Sequence, residues 1–187
     1  MGNPTFLAFD VESGGIHSNV HSLLTAFYAV CDENWNVLDT LYLKVKPNDG
    51  NYVVTAEGMS INKIDLIAHD LEAMTQSHAG QVLRDFLVKN TNGGRVRLMP
   101  MGKNVGFDCD FTTDNILGKP QWDRYVSYRH YDITTMITLL KRKGLLAKDA
   151  PESLETLARY YNVQFVAHTA DGDTHAGIEV VKILEGL

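Results

Sequence analysis

Asp10 and Glu12 stand two positions apart in "FLAFDVES", inside a run that is otherwise apolar and has no Lys or Arg near it. An ionised carboxylate is costly to bury unless it is paired or holds a cation. Two acids side by side on one strand face disfavour each other's ionisation, and a divalent cation reverses that penalty. Two further stretches carry acids of the same interest. "GKNVGFDCDF" (residues 102–111) offers Asn104, Asp108 and Asp110, and "HTADGDTHAGIEVV" (168–181) offers His168, Asp173 and His175. Each has an ordinary reading by itself. The Asp10/Glu12 pair could be an exposed strand end, and Asp108 or Asp110 could serve near a helix start, Asp108 as an N-cap. The third stretch is no EF-hand loop, because Ala176 stands at the glycine position and Lys182 at the terminal glutamate position. His17 and His21, four apart in "HSNVH", would need partners the sequence does not place to make a zinc site.

The elements that must position these residues can be read from periodicity. "TFLAFDV" is a strand, and its alternation puts Phe6, Ala8, Asp10 and Glu12 on one face and Leu7, Phe9 and Val11 on the other. "SLLTAFYAVCDE" and "VLDTLYLKVKP" read as two more strands joined through "ENWN". A helix is expected over 70–89, with Leu71, Met74, Val82 and Phe86 on its stripe, followed by a short strand in "RVRLMPMG". Ile133, Met136, Ile137 and Leu140 predict a helix that stops at "KRKG"; Leu154, Leu157, Ala158 and Tyr161 predict another. A last helix is expected from Thr174, with Asp173 near its N-terminus and "AHTADGD" as a small, polar loop before it. Strands first, then strands mixed with helices, predict an α/β layer architecture with a central sheet.

The 187 residues, 44% hydrophobic and 21% charged, suit one globular domain over 1–187. A net charge of −6 argues against a tight, non-specific nucleic-acid binder but not against an enzyme that grips a few nucleotides. Cys31 and Cys109 have no metal or redox spacing and read as reduced core residues. "FLAF" is too short for a signal peptide or a membrane helix, and "MGNPTF" lacks the Ser/Thr of a myristoylation start. A cytoplasmic protein with no membrane partner is expected.

In their order and internal spacing the three acidic stretches resemble the motifs of the DEDDh (DnaQ-like) 3′→5′ exonucleases of the ribonuclease H-like superfamily. Asp10 and Glu12 match Asp-x-Glu of the first motif. Asn104, Phe107, Asp108 and Phe111 match His-Asn-x-x-Phe-Asp-x-x-Phe, and His168, Ala170 and Asp173 match His-x-Ala-x-x-Asp. "YDITTM" and "SLETLARYYNV" fall where that family has an Asp before one helix and a Ser-Leu opening the next, so the resemblance covers nearly the whole chain. Lys103 departs from the usual His, and "SGG" after Glu12 departs from the usual Thr-Gly.

The resemblance implies a ribonuclease H-like fold, a central mixed five-stranded sheet flanked by helices. It implies hydrolysis of phosphodiester bonds from the 3′ end of single-stranded DNA or RNA, releasing nucleoside 5′-monophosphates. DNA of a proofreading or repair type is slightly favoured over an exoribonuclease or oligoribonuclease activity. The cofactor would be two Mg²⁺ ions, with Mn²⁺ able to substitute, roughly 4 Å apart. Asp10 would bridge them, Glu12 and Asp173 would complete the site of the ion carrying the attacking water, and Asp108 would hold the ion on the leaving-group side. His168, rather than His175, is the implied general base. Ser13, Gly14 and Asn104 are expected to contact substrate, whereas Phe107 is expected in the core. Partners would be single-stranded 3′ ends, with a second copy or a polymerase as further options. The rival from another class is an idle module that only recognises nucleic-acid ends.

Overall fold

A computed structural model describes residues 3–187. The chain opens with three strands, β1 (Phe6–Ser13), β2 (Leu23–Cys31) and β3 (Val37–Lys46), and then two short helices, α1 (Ala56–Asn62) and α2 (Leu66–Glu72). Strand β4 (Met74–Thr75), α3 (Gln76–Asn90), β5 (Met99–Gly102), α4 (Val105–Asn115) and α5 (Lys119–Tyr125) follow. The rest is β6 (Tyr131–Asp132), α6 (Ile133–Lys143), α7 (Leu154–Tyr160) and α8 (Ala170–Glu185).

The strands form one mixed sheet in the order β4-β3-β2-β1-β5-β6. β1 to β3 are antiparallel neighbours, with Asp10 opposite Phe27 and Glu12 opposite Thr25, while β5 runs parallel to β1 and β6 parallel to β5. Among the described residues the sheet has six strands where the resemblance implies five, and two of them, β4 and β6, are only two residues long.

Alternation along β1 divides the interior in two. Leu7, Phe9 and Val11 join Leu83, Leu87, Val105, Phe111 and Trp122 beneath α3, α4 and α5. Ala8 faces the opposite layer, with Met101, Ile133, Ile137, Leu157, Ile178 and Val181 from α6, α7 and α8. Each layer holds one tryptophan against a β1 phenylalanine. Trp35 stacks on Phe6 with ring centroids 4.0 Å apart, and Trp122 meets Phe9 edge-on at 5.6 Å. The Trp35 indole N–H donates to Glu185 at 2.8 Å.

The helices begin and end on local signals. The Asp132 side chain caps α6, whose buried stripe is Ile133, Ile137 and Leu140, and Gly144 ends it at φ 72°. The expected helix over 70–89 is interrupted: α2 stops at Ala73, β4 pairs with the end of β3, and Thr75 caps α3. The last helix starts earlier than expected, because the Thr169 hydroxyl accepts the Gly172 N–H and draws Ala170 to Asp173 into the first turn. Among the described residues no helix is long and apolar enough to cross a membrane.

Candidate active site

β1 delivers Asp10 and Glu12 to the face covered by α8, and the first turn of α8 brings Asp173 to meet them. One carboxylate oxygen from each of these three residues lies within 4.8 Å of the others. Asp108 comes from the first turn of α4. It is 4% exposed, and its Oδ1 accepts the Val11 N–H at 3.1 Å, so it is fastened to the backbone between the two strand acids rather than capping its own helix. Asp110, the other acid of that stretch, points to solvent.

No Lys or Arg is within ion-pair distance of any of these four carboxylates among the described residues. Their affinities for protons record this. Burial, then the charges of Asp108, Asp173 and Glu12, hold the Asp10 carboxyl well above the usual range. Burial also raises Asp108, although the Val11 N–H works against it. Glu12 is pushed up to about 7 by burial and by Asp173. Asp173 is pushed up to about 6 by burial, with the His168 N–H and imidazole pulling the other way. A buried, uncompensated set of hard oxygen donors fits a divalent cation, and Asp10, Glu12 and Asp173, with Asp108 beside them, are the residues that would hold it.

His168 sits just before α8 at φ 62°, and its backbone N–H donates to Asp173 Oδ2 at 3.2 Å. Its Nε2 stands 3.8 Å from Glu155 on α7, which is itself paired with Arg159 at 2.6 Å. His175 is in α8, with its ring against Phe27 at 5.3 Å. The geometry therefore joins His168, not His175, to the acids.

Beside Glu12 opens a cavity of 490 Å³, largely apolar, lined by Ser13, Ile16, His17, His21, Ile61 and Phe107 among others. Ser13 lines this cavity. Gly14 is packed behind it: its N–H donates to Ser22, its carbonyl accepts from Thr55, and an added Cβ would stand 2.6 Å from the Val53 carbonyl. Asn104 precedes α4 in the left-handed region at φ 55°, with its side-chain oxygen accepting the Thr134 hydroxyl at 2.7 Å. Phe107 is 39% exposed and faces the cavity, contrary to the expectation of a core position. Its partner Phe111, one turn on and 4.7 Å away, is the one that is buried. His17 and His21 stack on each other at the cavity mouth, and among the described residues no third metal-type ligand joins them. Ile16 and Ile61 escaped the sequence reading because neither belongs to an apolar stripe that points to the acids.

A mixed sheet with three antiparallel strands, a parallel continuation through β5, and acids at the end of the first strand is the ribonuclease H-like fold. The chain shares it with solved structures of E. coli exonuclease I. The complex with a dT13 oligonucleotide matches at TM-score 0.76 and 18% identity, over 98% of this chain and 41% of that one. The zinc-ion-bound exonuclease I–ssDNA complex matches at TM-score 0.77 and 19% identity, over 98% and 41%. Exonuclease I without ligand matches at TM-score 0.75 and 17% identity, over 98% and 42%. The chain thus spans about two-fifths of the length of these proteins. No protein-family profile matches the sequence, and no curated protein matches it.

Proposed function

We propose that the chain is a metal-dependent 3′→5′ exonuclease domain of the DEDDh type, acting on single-stranded nucleic acid and releasing nucleoside 5′-monophosphates. The observation that carries this is the convergence of Asp10, Glu12 and Asp173 within 4.8 Å, with Asp108 bonded to the intervening Val11 and His168 bonded to Asp173. Divalent ions bound to these acids would stabilise charge on the attacking and leaving oxygens of the phosphodiester.

The protein's own groups supply the rest. His168 would accept the proton of the attacking water at its imidazole, a role supported by its backbone bond to Asp173, which ties this residue to the acids. The cavity next to Glu12 offers Phe107, Ile16 and Ile61 to the base of the 3′-terminal nucleotide and Ser13 to its sugar. Asp108 marks the side on which the shortened strand departs. DNA is favoured as substrate because the similar exonuclease I structures hold dT13 and dA16 oligonucleotides. A cytoplasmic setting suits such an enzyme.

The test is a polarity assay with 5′-labelled single-stranded DNA, RNA and a dinucleotide, each with Mg²⁺ and with EDTA. A ladder shortening from the 3′ end only with Mg²⁺ is expected, and the three rates rank the substrates. Absence of cleavage with Mg²⁺ or Mn²⁺ would overturn the reading and favour an end-binding module.

A further inference from the structure

β1 and β5 run parallel, so the C-terminal end of β5 lies at the same end of the sheet as the acids of β1. Their register sets Phe6 opposite Met99 and Ala8 opposite Met101. Two residues further along both strands, Lys103 comes level with Asp10. The strands are still close at the step between, where a Cβ on Gly102 would stand 3.0 Å from the Phe9 carbonyl. Met101 packs in the layer of Ala8, and Lys103 follows Met101 as Asp10 follows Ala8. Lys103 accordingly lines a small crevice together with Asp10, Asp173 and Leu154. It is the residue that stands where the DEDDh motif usually has His.

The Lys103 side chain is half-buried and uncommitted. Eight of the 17 Lys and Arg side chains form ion pairs with acids, and among the described residues Lys103 is not one of them. Glu152, just before α7, is held below the usual carboxylate range by its bond to Lys141 and, more weakly, by the charge of Lys103. The ammonium thus stands between the α7 flank and the acids without an ion pair to either. A lysine is a compact point charge on a flexible stem, which suits a phosphate oxygen.

The crevice and the 490 Å³ cavity meet the acids from different sides. Glu12 and Ser13 line the cavity, which extends past the end of β1 to α1, whereas Asp10 and Asp173 line the crevice between β1 and β5. A strand with its 3′-terminal nucleotide in the cavity has its last phosphodiester over the acids, and the next phosphate falls on the side away from the cavity. We propose that Lys103 holds this next phosphate, one position to the 5′ side of the cleaved bond, an inference that rests on the exonuclease reading. A net charge of −6 gives no general attraction for a polyanion, so the strand needs a local cation of this kind. Lys103 also precedes α4, the helix that carries Asp108 on the departing side.

Two short substrates separate this role from others. dTpdT contains only the phosphate that is cleaved, whereas dTpdTpdT adds the one upstream. The preference for the trinucleotide, read with Mg²⁺ as the ratio of kcat/KM for initial release of the 3′ nucleotide, is expected to fall about tenfold in Lys103→Ala. Lys103→Arg should keep most of it. Lys89→Ala, on α3, is the control and should keep the wild-type preference. Binding gives a second readout, from fluorescence anisotropy of labelled dT12 with Ca²⁺ in place of Mg²⁺ to neutralise the acids. Lys103→Ala should lower the slope of log Kd against log salt by about 0.7. Circular dichroism checks that the variants fold. A Lys103→Ala variant that loses equally on both substrates, or that keeps the wild-type ratio and salt slope, would overturn the proposal, as would a wild type with no preference for the trinucleotide. Binding with the altered slope but no cleavage by the wild type would overturn the exonuclease reading and leave Lys103 as a phosphate contact. If the wild type neither binds nor cleaves, both fall.

Discussion

Four acids without a counter-charge set the behaviour of the site at the residue scale. Glu12 rises to about 7 and Asp173 to about 6, above their ordinary values, so between those values and about pH 4 the folded state binds more protons than the unfolded one. Stability of the metal-free protein therefore falls as pH rises through this window. We expect its Tm to drop by roughly 3 °C or more between pH 5 and pH 8, and Mg²⁺ to restore it at pH 8 but not at pH 5. Scanning calorimetry with and without Mg²⁺ checks this; a Tm that rises with pH in EDTA would contradict it. Asp10→Ala should abolish nuclease activity and, by removing one repelling charge, leave the fold at least as stable. His168→Ala should slow turnover by about 100-fold or more while keeping the Mg²⁺-induced rise in Tm, and His175→Ala should do neither. These residues were legible because type and spacing together are diagnostic: Asp173 is five positions after His168, and the structure joins them through a backbone bond. Phe107 was misread because Phe107 and Phe111 share one helical stripe. Only packing reveals that the first turn of α4 overhangs a cavity while the second is enclosed.

The geometry of the acids depends on how elements are fastened to one another. Asn104 makes no side-chain cap for α4; Asp132 supplies it from β6, with one oxygen on Val105 N–H and the other on Thr135 N–H of α6. One carboxylate thus orients two helices, including the one that carries Asp108. Asp132→Ala should cost about 1–3 kcal/mol in urea unfolding and lower kcat by displacing Asp108, whereas Asp132→Asn, which keeps one acceptor oxygen, should lose less of each. Sequence placed an Asp before a helix in "YDITTM" but not its bond to α4, because nothing local connects Asp132 to a residue 27 positions earlier. The break between α2 and α3 was missed for a different reason. Leu71 looks like a stripe residue in a 70–89 helix, yet it is 84% exposed, and the turn at Ala73 lets β4 add to β3. Thr75, which caps α3, was the available signal.

Across the whole molecule, both apolar layers pack on the same strand, so neither has a boundary of its own. β1 supplies Leu7, Phe9 and Val11 to one and Ala8 to the other, and α8 covers the second from a position next to the acids. We expect urea unfolding in a single transition, with far-ultraviolet circular dichroism and fluorescence coincident. Separate midpoints would show that one layer stands alone. The sandwich was legible in outline, since alternating strands and amphipathic helices leave few other arrangements. The 490 Å³ cavity was not, because its walls come from the segments around Ile16, Ile61 and Phe107, brought together only by the tertiary fold. The two tryptophans make the expectation unusually easy to check. Trp35 and Trp122, 2% and 3% exposed, lie on opposite sides of β1 against Phe6 and Phe9. Trp35→Phe and Trp122→Phe would each leave a single tryptophan, so emission excited selectively at tryptophan could report on the upper and lower halves of the interior in turn, with no dye attached.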